Sequence, residues 1–364
     1  MAAAETTAEQ WPGLPRPGHS WYNRSKYTGA TLTNIDDILA RLSKNTSDKY
    51  RLAKDISKDY VPTASLGLNM LLGGGVGIGK QSTFWGNESA GKSAFWLQSM
   101  GINQKLGRGC AYIDAEKTFD SNWASRLGVN TDELLVSQVS SIGDFVDISH
   151  DFIKAGIEII VVDSTSALMP RSFFEDGEMK PFEKTQQIGQ FARELGQATR
   201  MIQGENFTCA IIHISQVRMD LGNSFMPGMK PSGGKEVGHA DSLRVRMFSS
   251  KSDKQAIMGK LETNGQLLEE QVGRKVTWTI DKNKQNGHFG TADYDLYFRG
   301  DHVGIDKYGE LLDYGLKYGL VEKGGAWITV GEQRLNGRPK AIEYLRENPD
   351  IVEKMEARIL EQPI

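Results

Sequence analysis

The feature that most constrains this chain is the run Gly86–Asn87–Glu88–Ser89–Ala90–Gly91–Lys92–Ser93, of the form GxxxxGK[ST]. It follows the strand-like QSTFW and precedes a helix-like stretch, AFWLQSM, that opens at Ala94. That setting separates a P-loop from a chance match in a chain with 40 glycines. The glycines let the backbone bend so that its amides face phosphate oxygens. The following helix aims its N-terminus at the same anion. Lys92 supplies a point charge for the β- and γ-phosphates, and Ser93 a hydroxyl for a cation. The expected ligands are ATP and Mg²⁺.

Around this loop the pattern alternates between strand and helix. Apolar runs predict strands at 81–86, 109–114, 158–163 and 208–216, with helices over 92–106, 142–155 and 183–203. Buried strands separated by helices predict an α/β fold with a parallel sheet covered on both faces. Two more strands are expected at 242–249 and 274–281. The charged, Gly-containing segment 250–273 reads as an exposed connection between them. Beyond about residue 300, short helical runs at 310–318, 339–346 and 349–361 surround a hairpin-like AWITVGEQRL. Residues 1–30 read as an irregular arm. Residues 33–43 read as a capped helix with Ile35, Ile38, Leu39 and Leu42 on one face. That helix packs either on its own domain or on a neighbouring subunit. The expected division is 1–60, 61–300 and 301–364.

Composition narrows the class. The 364 residues carry a formal net charge of −3, so no global basic field points to nucleic acid, although local patches suffice for binding it. Cys110 and Cys209 are the two cysteines, both in apolar strand-like runs, which predicts a reducing compartment. The first twenty residues lack a basic stretch followed by an apolar core, and no apolar run approaches the roughly 20 residues of a membrane span. The expectation is a cytoplasmic protein with no membrane partner.

Three further stretches bear on chemistry. The strand EIIVVD ends in Asp163, a Walker B pattern whose carboxylate reaches a Mg²⁺ shell. CAYIDAE carries Asp114 and Glu116 two residues apart, on one face of an extended chain. One of them orients or deprotonates an attacking water, or Asp114 serves as an N-cap. Residues 217–235, VRMDLGNSFMPGMKPSGGK, suit neither helix nor strand. Met219, Phe225 and Met226 would stack on or wedge between bases there. Arg218, Lys230, Ser232 and the Gly233–Gly234–Lys235 turn would hold phosphates. The plainer reading is a surface loop with incidental hydrophobes. On the helix before it, Gly189, Arg193, Gly196 and Arg200 share one face.

GNESAGKS, CAYIDAEKTFDSNWASRLGV, EIIVVDSTSAL, ISQVRMDLG, KNK and YGELLDYGLKYGLVEKGGAW occur in this order at suitable spacings. Together they closely resemble the bacterial-type RecA recombinases, from about Ser65 to about Asn348. The resemblance implies a RecA-like P-loop NTPase core with a mostly parallel central sheet, an N-terminal arm and a small α+β C-terminal domain. It implies that Glu116 is the general base, that Lys92 and Ser93 hold phosphates and Mg²⁺, and that Asp163 lies in the metal shell. Asp120 would meet the adenine, and Trp123 takes the place of the aromatic that stacks on it. Gln216 matches the sensor of the γ-phosphate. Lys282 and Lys284 match a pair that reaches ATP on the neighbouring subunit. Arg193 and Arg200 match the primary-site arginines, and 217–235 lies where the family has its second DNA-binding loop.

The implied activity is a DNA-dependent ATPase that forms a helical homo-oligomer on single-stranded DNA and exchanges strands with homologous double-stranded DNA. The same core also serves ring helicases, which usually carry a separate N-terminal domain; here only about 60 residues precede the core. Some family features differ in this chain. The stretch 171–188 is longer and more acidic than the family's first DNA loop, with Phe173, Phe174 and Phe182. Thr277 and Thr279 stand where the second DNA site has basic residues, with Arg244, Arg246, Arg274 and Lys275 nearby. Lys317, Lys323, Arg334, Arg338 and Lys340 are the candidates for capturing duplex. The chain stops at RILEQPI without the acidic tail common in the family, which predicts weaker self-inhibition.

Overall fold

The computed structural model describes residues 59–175, 178–180, 189–219, 229–232, 234–250, 255–263 and 265–362. The arm, the helix expected over 33–43, Phe182, Phe225, Met226 and Gly233 lie outside the described residues.

Strand β1 (Tyr60–Val61) pairs with β2 (Val76–Gly77) around helix α1 (Leu66–Leu72). Ser65 caps α1, its hydroxyl accepting from the Leu68 amide, and Gly73 closes it at φ 76°. The P-loop unit follows as β3 (Gln81–Gly86), α2 (Lys92–Lys105), β4 (Cys110–Asp114), α3 (Ser121–Arg126), β5 (Leu135–Gln138), α4 (Ile142–Lys154) and β6 (Ile159–Asp163). After a short ribbon, β7 (Phe174–Glu175) with β8 (Glu178–Met179), come α5 (Gln190–Glu205), β9 (Ala210–Met219), β10 (Met229–Pro231) and α6 (Gly234–Ala240). The sheet is completed by β11 (Leu243–Phe248), β12 (Ala256–Thr263), β13 (Gln266–Asn283), β14 (Thr291–Tyr297) and β15 (Gly304–Ile305).

Eleven strands form one sheet in the order β15-β14-β13-β11-β3-β9-β6-β4-β5, with β10 on β9 and β12 on β13. From β11 to β5 every pairing is parallel. The wing from β11 through β13 and β14 to β15 is antiparallel. The inner strands are buried on both faces, which is why Ile159–Val162 reads as an unbroken apolar run. One face packs through Phe84, Phe95, Trp96 and Met100. The other packs through Ile113, Phe145, Leu195 and Ile202.

The segment 250–273 departs from the expectation of an exposed connection. Within it β12 pairs antiparallel with β13, which extends to 18 residues. This hairpin is solvent-facing, with Leu267 70% exposed and Lys260 opposite Glu269. Its exposed strands bury little apolar surface, so no apolar alternation marks it in the sequence.

The C-terminal part comprises α7 (Lys307–Lys317), β16 (Val321–Gly324), β17 (Trp327–Val330), β18 (Gln333–Asn336), α8 (Arg338–Glu347) and α9 (Pro349–Leu360). The expected hairpin is β17–β18, and β16 adds a third antiparallel strand. Its small core includes Leu311, Leu312, Ile328, Leu345 and Ile359, joined by Leu66 and Met70 of α1. The buried Glu310 of α7 ties the two together. Its carboxylate accepts from Ser65 Oγ at 2.7 Å, Leu66 N at 2.9 Å and Gly67 N at 3.0 Å. These are amides a helix start leaves unpaired, and an anion there also suits the helix dipole.

Candidate nucleotide site and nucleic-acid surfaces

The phosphate cradle begins where β3 ends. A Cβ on Gly86 would lie 1.7 Å from the Met247 carbonyl oxygen, so the strand and β11 approach too closely for any side chain. Ser89 at φ 59° and Gly91 at φ 76° turn the loop through left-handed conformations. Asn87 pins the loop from behind: its Nδ2 donates to Ser249 O at 2.7 Å and its Oδ1 accepts from Ser249 N at 3.1 Å. Ala90 is buried beneath the loop. Helix α2 starts at Lys92 with no side-chain cap. Its first amides are therefore left for an anion.

Lys92 is buried, and its Nζ donates to Gly86 O at 3.1 Å and Asn87 O at 2.9 Å. Burial pushes its pKa down, against the pull of Asp163, Glu116 and Glu88. A buried ammonium whose hydrogen bonds go to neutral carbonyls is suited to an incoming phosphate. Glu88, Ser89, Gly91, Ser93, Ala94 and Trp123 line the cleft above it, a space of about 490 Å³.

The carboxylates converge on the same cleft. Asp163 ends β6 in register with Asp114 at the end of β4. Burial pushes the Asp163 pKa up, while hydrogen bonds from Ser93 and Tyr112 hold it down. Glu116 follows β4 directly, its amide donating to Asp163 O at 3.2 Å. Its Oε1 accepts from Ser164 Oγ at 2.5 Å and from Gln216 Nε2 at 2.9 Å. Gln216 lies on β9, and its amide is held by Ser166 Oγ at 3.0 Å. Asp114 instead turns inward and accepts from the Thr118 and Phe119 amides, both at 3.1 Å. Asp114 is not a helix N-cap, since Asp120 caps α3; it ties down the turn after β4, and Glu116 faces the cleft with Gln216.

Asp120 caps α3, accepting from Asn122 N at 2.8 Å and Trp123 N at 3.1 Å. It is exposed and is not among the residues lining the cleft, whereas Trp123 is half-buried there. Sequence reading missed Tyr112, Ser164, Ser166 and Asn87's partner Ser249. Nothing in their local pattern marks them: Tyr112 meets the site through strand register, and Ser164, Ser166 and Ser249 through the loops that follow β6 and β11.

Lys282 and Lys284 lie away from this cleft. Lys284 N donates to Ser242 O, and Ser242 N donates to Gln81 O, so Lys284 is level with the start of β3. Gly86 is five residues farther along, roughly 16 Å. Lys282 Nζ donates to Gly238 O at 2.5 Å and Lys284 Nζ to His239 O at 3.2 Å, both near the C-terminal end of α6. Burial, with Lys284 and Arg244 adding repulsion, pushes the Lys282 pKa down to about 8.

On α5, Arg193 and Arg200 are exposed while Gly196 between them is buried. Arg218 and Met219 extend β9, and their backbone pairs with Lys230 and Met229 of β10. The stretch expected to suit neither helix nor strand therefore begins as one strand of a ribbon, supplies the other at 229–231 and runs into a helix. Gly234 and Lys235 open α6 rather than forming a turn. Ser232 is buried, with its amide donating to Ser215 Oγ at 3.0 Å, so its hydroxyl is not presented to solvent.

The residues expected to compensate at a second DNA site are engaged elsewhere. Arg244 binds the buried Asp241 at 3.0 Å, Arg246 binds Asp281 at 3.4 Å and Lys275 binds Asp295 at 2.9 Å. Thr277 donates to Asp293 at 2.6 Å. In the C-terminal part Arg334 stacks on Trp327 at 4.9 Å, Lys317 lies over Tyr318 at 5.3 Å and Arg338 pairs with Asp313. Lys323 and Lys340 are exposed.

Comparison with known proteins agrees with this arrangement. Residues 30–303 match the RecA N-terminal domain family, and residues 309–363 match the RecA C-terminal domain family. Protein RecA of Methylobacterium sp. (strain 4-46) is 36% identical over 344 residues, covering 93% of this chain and 88% of that protein. Protein RecA of Rickettsia canadensis (strain McKiel) is 35% identical over 313 residues, covering 85% of each chain. Protein RecA of Azospirillum lipoferum (strain 4B) is 34% identical over 311 residues, covering 84% of this chain and 80% of that protein. Among the described residues no helix is long and apolar enough to cross a membrane. A P-loop strand flanked by β9 and β11, a Glu–Gln contact over the cleft and matches across both family domains converge: this chain belongs to the RecA family of recombinases.

Proposed function

We propose that the chain is a DNA-dependent ATPase that polymerises on single-stranded DNA, pairs it with homologous duplex and exchanges strands in recombinational repair. The observation that carries this is the Glu116–Gln216 hydrogen bond of 2.9 Å. Gln216 sits on the same strand, β9, that runs on into the candidate DNA segment at Arg218. One continuous strand therefore joins the hydrogen-bond partner of Glu116 to the candidate nucleic-acid loop.

In this reading the loop amides from Asn87 to Ser93 and the Lys92 ammonium bind the triphosphate of ATP. The Trp123 ring supports the base, with Asp120 at its edge. Mg²⁺, held through Ser93 with Asp163 behind it, supplies charge neutralisation at the phosphates. Glu116 takes a proton from the attacking water. Gln216 exchanges its bond to Glu116 for one to the γ-phosphate and thereby moves the segment 217–235. Arg193, Arg200, Arg218 and Lys235 meet the DNA backbone, and Met219 and Phe225 meet bases. Lys282 and Lys284 act on the neighbouring subunit's ATP, as their distance from their own cleft favours. Residues 1–60 serve as the arm that joins subunits, 61–300 as the ATPase core, and 301–364 as the part that captures duplex, all in a cytoplasmic setting.

Electron microscopy with single-stranded DNA and a non-hydrolysable ATP analogue tests the assembly. Continuous helical filaments support the recombinase. Discrete hexameric rings with strand unwinding would assign the same core to a helicase instead.

A further inference from the structure

The Walker B carboxylate has a partner that no motif announces. Tyr112 lies in the middle of β4, opposite Val161 of β6. It shares the strand face of Cys110 and belongs to the core cluster that contains Phe84, Phe95 and Trp96, while Ala111 and Ile113 belong to the opposite cluster. Its ring is 3% exposed and lies 5.4 Å from the ring of Phe119 at 53°. A phenol so deeply buried must place its hydroxyl on a partner. That partner is Asp163 Oδ2, 2.5 Å away, and Ser93 of the P-loop bonds to the same pair of groups.

The geometry points to Tyr112 as a positioning residue for the Mg²⁺-nucleotide site, holding the Asp163 carboxylate in one orientation and register with Ser93. Asp163 is itself 5% exposed, and a carboxylate in such surroundings needs donors to stay ionised. The phenol satisfies one oxygen from beneath, on the core side. The carboxylate is thereby prevented from rotating toward Lys92, whose charge attracts it. A phenylalanine would fill the same space and leave Oδ2 without this donor. Outer groups that orient a cation's carboxylate typically set its affinity by 10–100-fold. The inference rests on the nucleotide-site reading above and deepens it.

The test is equilibrium binding of a fluorescent ATP analogue during Mg²⁺ titration, on the full chain, for the wild type, Tyr112→Phe and Phe119→Leu. Tyr112→Phe is expected to raise the Mg²⁺ needed for half-maximal binding about tenfold. Affinity at saturating Mg²⁺ should stay within about twofold, since the cradle is untouched. Phe119→Leu loosens the same ring packing but keeps the hydroxyl, and should leave the titration in place. A Tyr112→Phe curve superimposable on wild type would overturn the inference, as would an equal shift in Phe119→Leu, which would make the role one of packing. A wild type that does not bind the analogue at any Mg²⁺ concentration would overturn the nucleotide-site reading itself, and one whose binding ignores Mg²⁺ would overturn this inference alone.

Discussion

Gln216 Nε2 donates to Glu116 Oε1 at 2.9 Å, across 100 residues of sequence. The contact couples two strands, β4 and β9, that are not neighbours in the sheet, because β6 lies between them. In the proposed reading it gives Glu116 a partner that a phosphate would displace.

Removing either side should separate binding from coupling. Glu116→Gln should cut ATP turnover on single-stranded DNA by about 10²–10⁴-fold while leaving nucleotide binding intact. Gln216→Ala should retain nucleotide binding but lose stimulation of the ATPase by DNA. Steady-state hydrolysis with and without DNA checks both. A Gln216→Ala protein still stimulated to the wild-type extent would rule out the coupling role.

Gly86 tests the cradle sterically. A Cβ there would lie 1.7 Å from Met247 O and 2.8 Å from its carbonyl carbon, both backbone atoms that cannot step aside. Gly86→Ala should therefore push β3 from β11 and cost about 1–3 kcal/mol of stability. It should weaken ATP binding as well. Denaturant unfolding and nucleotide titration measure the two effects. Gly107, where nothing lies within 4 Å of an added Cβ but φ is 79°, provides a comparison for backbone strain without collision.

Glu310 makes a pH prediction. Burial pushes its carboxyl up to about 7 from 4.5, despite the opposing bonds from Ser65, Gly67 and Leu66. The folded state thus holds this proton more tightly than the unfolded chain. The stability it contributes is full below pH 4.5 and falls as pH rises through about 7. Unfolding free energy of wild type relative to Glu310→Gln should decline over that window. A constant difference from pH 4.5 to 7.5 would show that burial does not govern this group. Glu310→Ala should cost about 1–3 kcal/mol below pH 4.5, by orphaning buried donors at the start of α1, and that cost should shrink as pH rises through the same window.

Much of this molecule is legible in the sequence, for physical reasons that vary by element. The parallel strands at Gln81–Gly86, Cys110–Asp114 and Ile159–Asp163 are buried on both faces, so their apolar runs mark them directly. The P-loop is equally plain, since its chemistry requires a fixed local spacing. The β12–β13 hairpin is not, because it is solvent-facing and carries polar and charged residues such as Lys260 and Glu269 in place of buried alternation. Asp114 and Glu116 look equivalent in sequence. Only the turn through Lys117, at φ 57°, points one inward to amides and the other toward the cleft. Tyr112 carries no local signal, since its partner arrives through the register of β4 on β6.

The central claim is that Lys92 and Ser93 form half of an ATP site, completed by Lys282 and Lys284 of the next subunit. The most direct measurement mixes two inactive variants, Glu116→Gln and the double variant Lys282→Ala/Lys284→Ala, on single-stranded DNA. Each alone should hydrolyse ATP poorly. In a one-to-one random mixture about one interface in four joins an intact Glu116 to intact lysines, since filament interfaces are head-to-tail. ATPase activity should then return to roughly a quarter of wild type. A mixture no more active than its two components would contradict a site shared between subunits.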